Sequence, residues 1–483
     1  MDIETLKTEL NRCIGCKPRP CEKACPLGVS PHDFIALAKT GDYREASKII
    51  ALKNPLPQTC GLVCPDAFCQ KACIRGRIDK PIAIPCLQAR MIQLGGFPEL
   101  ELPQKNGKKV AVIGGGPAGI GATYELIRNG FEVTIYEKSD KLGGVARLIP
   151  EYRLPKSVLD QEIARIVENE RVTVKLNTEI TDFSSLKAEF DNVILALGEP
   201  IEYKLNIPGD NKCISYKDIL CNKNQRSTDG DLAHPQENLK PNTEGVAEGG
   251  IKYDAGSEFA TAVYEKGYMS ECQCSTDGDL ARPQENLKPN TEGVAEGGIN
   301  CHAMSDATSV VYKKAYMSEC RRSFDGDLAH PHIAIVGGGE VALDCALSLK
   351  KQSPDAIIEM FVRRRREDMR IMKRDHIELD EHNIVIRDLT SIVEIKEENN
   401  KLQLTAIKNE INEEGKARAV KGTEFALNDY TTIITALGSY FPKDKDTAEC
   451  LCAGDMTGSC GTVVQAIASG MKCARAIVEQ EQQ

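Results

Sequence analysis

Twice in this chain a run of branched apolar residues breaks straight into a glycine turn and then into a helix. Val110-Ala111-Val112-Ile113 is followed by Gly114-Gly115-Gly116-Pro117-Ala118-Gly119, a helical stretch from Tyr124 to Arg128 and a second apolar strand, Val133 to Tyr136. Ile333-Ala334-Ile335-Val336 repeats the pattern with Gly337-Gly338-Gly339-Glu340-Val341-Ala342, a helix through Leu349 and a strand from Ile357 to Val362. Each is a βαβ unit, whose crossover commits the chain to a parallel sheet with helices on its faces. Glycines at such a turn let the amides of a helix N-terminus approach a pyrophosphate. A lone G-x-G-x-x-G says little, but Glu137 closes the second strand of the first unit, 18 residues past Gly119, where an acid receives ribose hydroxyls. The first unit is therefore expected to bind a dinucleotide. The second unit ends its second strand in Arg363-Arg364-Arg365-Arg366 instead. Arginine there pairs with a 2′-phosphate, so NADPH is favoured over NADH; a merely solvated basic run is the alternative.

The cysteines carry the second signal. Nine of the twenty fall within the first 86 residues. They run Cys13-x2-Cys16-x4-Cys21-x3-Cys25-Pro26 and Cys60-x3-Cys64-Pro65-x4-Cys69-x3-Cys73, each resembling half of a two-cluster ferredoxin. A [4Fe–4S] cube takes soft thiolates from a compact, turning backbone. Structural zinc is the alternative, but its ligand pairs come as knuckles joined by a spacer of about a dozen residues or more. The spacing favours iron–sulfur.

Composition bounds what surrounds these sites. A chain of 483 residues with 41% hydrophobic and 27% charged residues is expected to form several globular domains, with no apolar run long enough to span a membrane. A net charge of −10 disfavours nucleic acid as a partner. The acidic start, Met1-Asp2-Ile3-Glu4, lacks the basic-then-apolar pattern of a secretory signal, so a cytoplasmic location is expected. Ser227 to Gly250 recurs as Ser275 to Gly298 with one difference, His234 against Arg282, which fixes a period of 48 residues; a third copy begins at Ser323. The copies are rich in Asp, Gly, Pro and Asn and read as a duplicated, weakly ordered surface insertion, with a partner-binding arm or a small packed subdomain as alternatives.

In sequence order the chain carries RCIGCKPRPCEKACP, TCGLVCPDAFCQKAC, VAVIGGGPAGIGA, IPEYRLPKSVLDQEI, IAIVGGGEVALDCA and CAGDMTGSCGTVVQAIASG. In these motifs it resembles the small subunit of NADPH-dependent glutamate synthase and its relatives, the amino-terminal half of dihydropyrimidine dehydrogenase and its bacterial flavin subunit. The resemblance implies an α/β chain in which a helical two-cluster iron–sulfur domain (1–104) precedes two interleaved Rossmann-like domains. An FAD domain (105–200 and 437–483) would be interrupted by an NADPH domain (201–436) holding the repeat at about 227–322.

By the same resemblance, one [4Fe–4S] cluster would take Cys13, Cys16, Cys21 and Cys73, and the other Cys25, Cys64, Cys69 and Gln88, with Cys86 or Cys60 as alternatives for the eighth place. FAD would be held by Gly114, Gly116, Pro117, Ala118, Gly119, Glu137, Gly144, Val145, Arg153, Gly198, Gly438, Gly454, Asp455, Thr462 and Val463, with Val63 approaching the flavin from the cluster domain. NADPH would be held by Gly337, Gly338, Gly339, Glu340, Val341, Arg363, Arg364 and Arg370. The implied activity is an oxidoreductase that takes hydride from NADPH onto FAD and sends single electrons through two clusters to a separate catalytic subunit or electron-acceptor protein. No residue need act as a catalytic acid, base or nucleophile. A stand-alone NADPH:acceptor reductase and a cofactor-retaining scaffold with an impaired nicotinamide site are the alternatives. A dithiol–disulfide reductase is disfavoured, since Cys272-x-Cys274 and Cys450-x-Cys452 are poorly spaced for it.

Overall fold

Proline and short polar caps punctuate the cysteine-rich segment into helices. The computed structural model describes residues 2–199, 201–221, 330–442, 447, 450–458 and 460–481; the tandem repeat lies outside them. Helix α1 (Ile3–Arg12) begins where the Asp2 carboxylate accepts the Thr5 amide at 2.8 Å. After the short α2 (Pro20–Ala24), Ser30 and Asp42 cap α3 (Pro31–Lys39) and α4 (Tyr43–Lys53) in the same way. Pro57 opens α5 (Pro57–Val63), and Pro85 sits in the first turn of α6 (Ile84–Gly95). The helices close on Leu6, Phe34, Ile35, Ile50 and Leu87, all at most 1% exposed. Close crossings need residues without side chains: a Cβ on Gly95 would lie 2.1 Å from the Tyr43 carbonyl oxygen. The stretch from Phe97 to Pro103 has no regular element.

The first βαβ unit builds a parallel sheet. Its strands are β1 (Lys109–Ile113), β2 (Glu132–Tyr136), β3 (Val172–Lys175) and β4 (Asn192–Leu195), with helices α7 (Pro117–Ile127) after β1 and α8 (Lys156–Val167) before β3. The chain then leaves through β5 (Ile201–Glu202), β6 (Ile214–Ser215) and α9 (Tyr216–Cys221).

The second βαβ unit runs β7 (His332–Val336), α10 (Glu340–Gln352), β8 (Ile357–Phe361), α11 (Lys373–Glu381) and β9 (Val385–Arg387). An antiparallel sheet not read from the sequence follows: β10 (Thr390–Glu398), β11 (Lys401–Ile411), β12 (Ala417–Ala419) and β13 (Phe425–Tyr430). Then β14 (Thr432–Thr435) joins the second parallel sheet, ordered β6-β14-β7-β8-β9. The chain returns through β15 (Ser439–Tyr440), antiparallel to β5, and ends in β16 (Leu451–Cys452) and α12 (Val463–Glu481). Strand β16 lies beside β4, so the first sheet, ordered β16-β4-β1-β2-β3, takes its outer strand from the far end of the sequence. The architecture is α/β, a helical cysteine-bearing part followed by Rossmann-like sheets.

Two buried contacts tie these parts together. Helices α7 and α12 cross so closely that a Cβ on Gly470 would lie 1.9 Å from the Ala118 carbonyl oxygen. Glu162 of α8, fully buried, accepts the amides of Gln58 and Thr59 at 2.6 and 2.9 Å, serving as an acceptor for the otherwise unpaired first turn of α5.

Candidate functional site

The glycine turn after β1 opens onto a cavity of about 1180 Å³. Gly114 has φ 106°, and a Cβ there would meet the Ala196 carbonyl oxygen at 2.3 Å, so this turn admits only glycine. Gly119 serves the turn itself, since its Cβ would strike the Gly114 oxygen at 1.9 Å. Of the residues expected to hold a flavin nucleotide, Gly114, Gly116, Pro117, Ala118, Glu137, Gly144, Val145, Gly198, Gly454 and Asp455 line the cavity. Glu137 accepts the Gly115 amide at 2.7 Å and the Ser139 amide at 2.9 Å; a carboxylate has further lone pairs free for hydroxyls. Among the described residues the Asp455 Oδ1 is buried and makes no hydrogen bond, nor does the buried Tyr152 hydroxyl on the same cavity, and burial raises the Asp455 carboxyl pKa. An orphaned oxygen on a cavity wall suits a ligand that brings a donor, such as a sugar-alcohol chain.

Other expected residues stand elsewhere. Val63 is buried among the helices of the cysteine segment and Gly438 accepts the Tyr203 amide beside the β5–β15 pair, neither of them lining the cavity. Thr462 caps the start of α12 by accepting the Gln465 amide, with Val463 next to it. Arg153 does not line the cavity either. Its guanidinium meets the buried Asp344 of α10 at 2.5 Å and Glu340 at 3.9 Å, which keeps it charged and joins the two βαβ units. Its neighbour Tyr152 faces the cavity, with Lys351 Nζ 3.3 Å from the ring centre.

The second glycine turn copies the first. A Cβ on Gly337 would lie 2.3 Å from the Ala436 carbonyl oxygen, as one on Gly114 would from Ala196. Gly338 lies against Val362, and Gly339 bridges Arg370, whose amide donates to the Gly338 oxygen at 3.2 Å. Glu340 and Val341 begin α10. Arg363 and Arg370 are exposed and Arg364 half-buried; none has a carboxylate partner among the described residues, whereas Arg365 and Arg366 pair with Glu367 and Asp380. Of these five arginines, the three expected to meet a 2′-phosphate are the ones without a carboxylate partner among the described residues.

The cysteines gather around two voids. Cys13, Cys16, Cys21 and Cys73 line the first. Cys25, Cys60, Cys64 and Cys69 line the second, together with Gln88. Ligands from the two rows thus cross over. Cys86 lines neither, while Cys60 stands against Cys64 and competes with Gln88 for the eighth place. The Gln88 amide nitrogen donates to the Pro57 carbonyl oxygen at 2.8 Å, which leaves its own oxygen as the available donor atom. Burial, with neighbouring thiols adding, pushes Cys21 up to about 11 and Cys69 up to about 12. Such thiols stay protonated unless a cation joins them, and iron would reverse that balance. Among the described residues no three His, Cys, Asp or Glu converge closely enough to hold one metal ion. The thiols line two small voids, and the donor set fits iron–sulfur clusters.

Sequence comparison accords with this geometry. Residues 1–94 match the family described as dihydropyrimidine dehydrogenase domain II, 4Fe-4S cluster, and residues 108–234 match pyridine nucleotide-disulphide oxidoreductase. The NAD-dependent dihydropyrimidine dehydrogenase subunit PreT of Salmonella typhimurium is 41% identical over 198 residues, 39% of this chain and 48% of that protein. Over that stretch the chain is similar to the PreT subunit. PreT of Escherichia coli K12 is 37% identical over 239 residues, 48% of this chain and 57% of its own. The glutamate synthase [NADPH] small chain of Mycobacterium tuberculosis is 33% identical over 216 residues, 43% of this chain and 44% of its own. The chain spans about half the length of the curated relatives it matches.

Proposed function

We propose that this chain is an NADPH-dependent FAD and iron–sulfur oxidoreductase that feeds electrons to a separate catalytic subunit. One observation carries the reading: two residues of the first turn of α12 face two different sites. Val464 lines the second thiol void and Ala466 lines the dinucleotide cavity, so a flavin in the cavity and a cluster in the void would be neighbours across one helical turn. FAD, when bound, supplies the exchange between two-electron hydride chemistry and one-electron transfer that neither nicotinamide nor cluster performs alone.

The chain's own residues hold and orient. Gly114, Gly116 and the start of α7 receive the pyrophosphate, Glu137 the adenosine ribose and Asp455 the ribityl hydroxyls. Arg363, Arg364 and Arg370 select the 2′-phosphate. Arg153 joins the two βαβ units through Asp344, which fixes the angle at which the two nucleotides meet, and near-attack contact of about 3 to 3.5 Å demands such a brace. Cys13, Cys16, Cys21 and Cys73 hold the outer cluster; Cys25, Cys64, Cys69 and either Gln88 or Cys60 hold the inner one.

The test is an anaerobic titration of the purified chain with NADPH and then NADH, following visible bleaching of flavin and the paramagnetic signal of reduced clusters. NADPH should bleach the flavin and raise a cluster signal. Bound flavin and iron that neither nucleotide reduces would sink the reading in favour of a scaffold.

A further inference from the structure

The charge of this chain is distributed against its own average. The whole carries −10, yet residues 11–25 and 70–80, which hold Cys13, Cys16, Cys21 and Cys73, contain eight Lys and Arg against two Asp and Glu. Some of that charge is neutralised in place. Arg12 and Arg75 share Asp79, and Arg19 pairs with Asp33 and Glu22. Lys17, Lys23, Lys71, Arg77 and Lys80 are exposed and have no ion pair among the described residues. The same two segments carry two apolar side chains in water, Ile14 at 50% and Ile78 at 64% exposure, and Ile14 lines the first thiol void. Exposed apolar side chains in segments rich in unpaired cations, beside a thiol void, point to a docking site rather than an idle surface.

The position of this face gives it a purpose. Pro31 and Ile84 line both thiol voids and form the wall between them. From the dinucleotide cavity the order is therefore Ala466 and Val464, the inner void, Pro31 and Ile84, the outer void, and then the surface beside Ile14. Resting on the function proposed above, we propose that this face docks an electron-accepting protein whose own redox centre is rimmed by Asp and Glu. A cluster held by Cys13, Cys16, Cys21 and Cys73 would supply one electron at a time to that centre, the centre being reduced as the cluster is reoxidised, with no proton or bond moved. Opposite charge around two redox centres orients them on encounter and speeds association by about 10- to 1,000-fold at low salt.

The test reverses two charges set apart from the cysteine rows, Arg77→Glu together with Lys80→Glu, in the full holoprotein. Iron content and the cluster spectrum show that the outer cluster remains. Menadione, an uncharged quinone, reports the NADPH and flavin half. An acidic [2Fe–2S] ferredoxin is the protein probe, its Kd read by calorimetry and its reduction rate by absorbance, each across a salt series. Wild type should bind and reduce ferredoxin with a steep salt dependence. The variant should lose at least about tenfold in both at low salt, with a flattened dependence and menadione turnover unchanged. Equal affinity and equal salt dependence in the two proteins would overturn the docking proposal while leaving the functional reading intact. Preference of this face for vesicles of anionic phospholipid over ferredoxin would overturn it as well. If wild type turns over no acceptor with NADPH, the functional reading fails, and the calorimetric arm still decides the docking face.

Discussion

Glu162 offers the sharpest test of how the cysteine segment is held on the first parallel sheet. Its carboxylate is fully buried and accepts the Gln58 and Thr59 amides, while burial pushes its pKa from an ordinary 4.5 up to about 7. Replacing it with alanine strands two buried donors, at about 1 to 3 kcal/mol each, so Glu162→Ala should cost about 2 to 6 kcal/mol. The pH dependence runs in a definite direction. The folded chain binds this proton more tightly than the unfolded chain, so stability from this group is greatest below about pH 4.5 and declines as pH rises towards 7. At about 1.4 kcal/mol for each tenfold change in proton affinity, the full decline is on the order of 3 kcal/mol. Glu162→Gln keeps one acceptor oxygen and cannot titrate. It should be destabilised most at low pH, and the gap from wild type should narrow as pH rises from 5 to 7.5. Circular dichroism melts under anaerobic conditions, at one scan rate, read the difference without requiring reversibility. Parallel pH profiles for wild type and Glu162→Gln would refute the reasoning, because the carboxylate would then titrate alike in both states.

Other consequences of the structure are open to measurement. Gly470→Val should push α12 off α7 through the Ala118 carbonyl and lower both the melting temperature and flavin retention, read from a melt and from the flavin absorbance of the purified protein. Arg363→Ala with Arg364→Ala should raise KM for NADPH by about 10- to 100-fold and leave NADH nearly unchanged; equal losses for both nucleotides would contradict the 2′-phosphate assignment. Cys60→Ser and Gln88→Leu together decide the eighth ligand: the one that supplies it should lose most of the inner cluster's iron and its signal, while the other keeps both. Asp344→Asn should strand the Arg153 guanidinium and lower the rate of flavin reduction by NADPH in stopped flow, with flavin content preserved.

What could be read in the sequence was what recurs at short spacing. The strands and helices around Gly114 and Gly337 follow from periodicities of two and of 3.6 residues, and the cysteine rows from steps of three to five. Distant pairings escaped that reading. Arg153 was expected at the flavin, but its partner Asp344 lies 191 residues on, and nothing local marks the pair. Cys60 and Gln88 both line the inner void because α5 and α6 cross at Gly61, where a Cβ would fall 2.5 Å from that of Ala89; the spacing of the cysteines carries no trace of that crossing. Strands β10 and β11 escape that reading too, because their exposed positions are Lys396, Glu397, Glu398, Lys408 and Glu410, which resemble loop composition.

Because β16 and α12 come from the far end of the sequence, the first sheet cannot be completed while a ribosome is still making the second. Leu451 and Cys452 must find Ile194 and Leu195, and Gly470 must find Ala118, across an entire intervening sheet. The cavity wall that Gly454, Asp455 and Ala466 supply is thus made only after the second parallel sheet. The cavity beside the first glycine turn is left open until the later unit has been made, and a nascent chain arrested between the two parallel sheets would present the thiols of its first hundred residues without Val464, which lines the inner void.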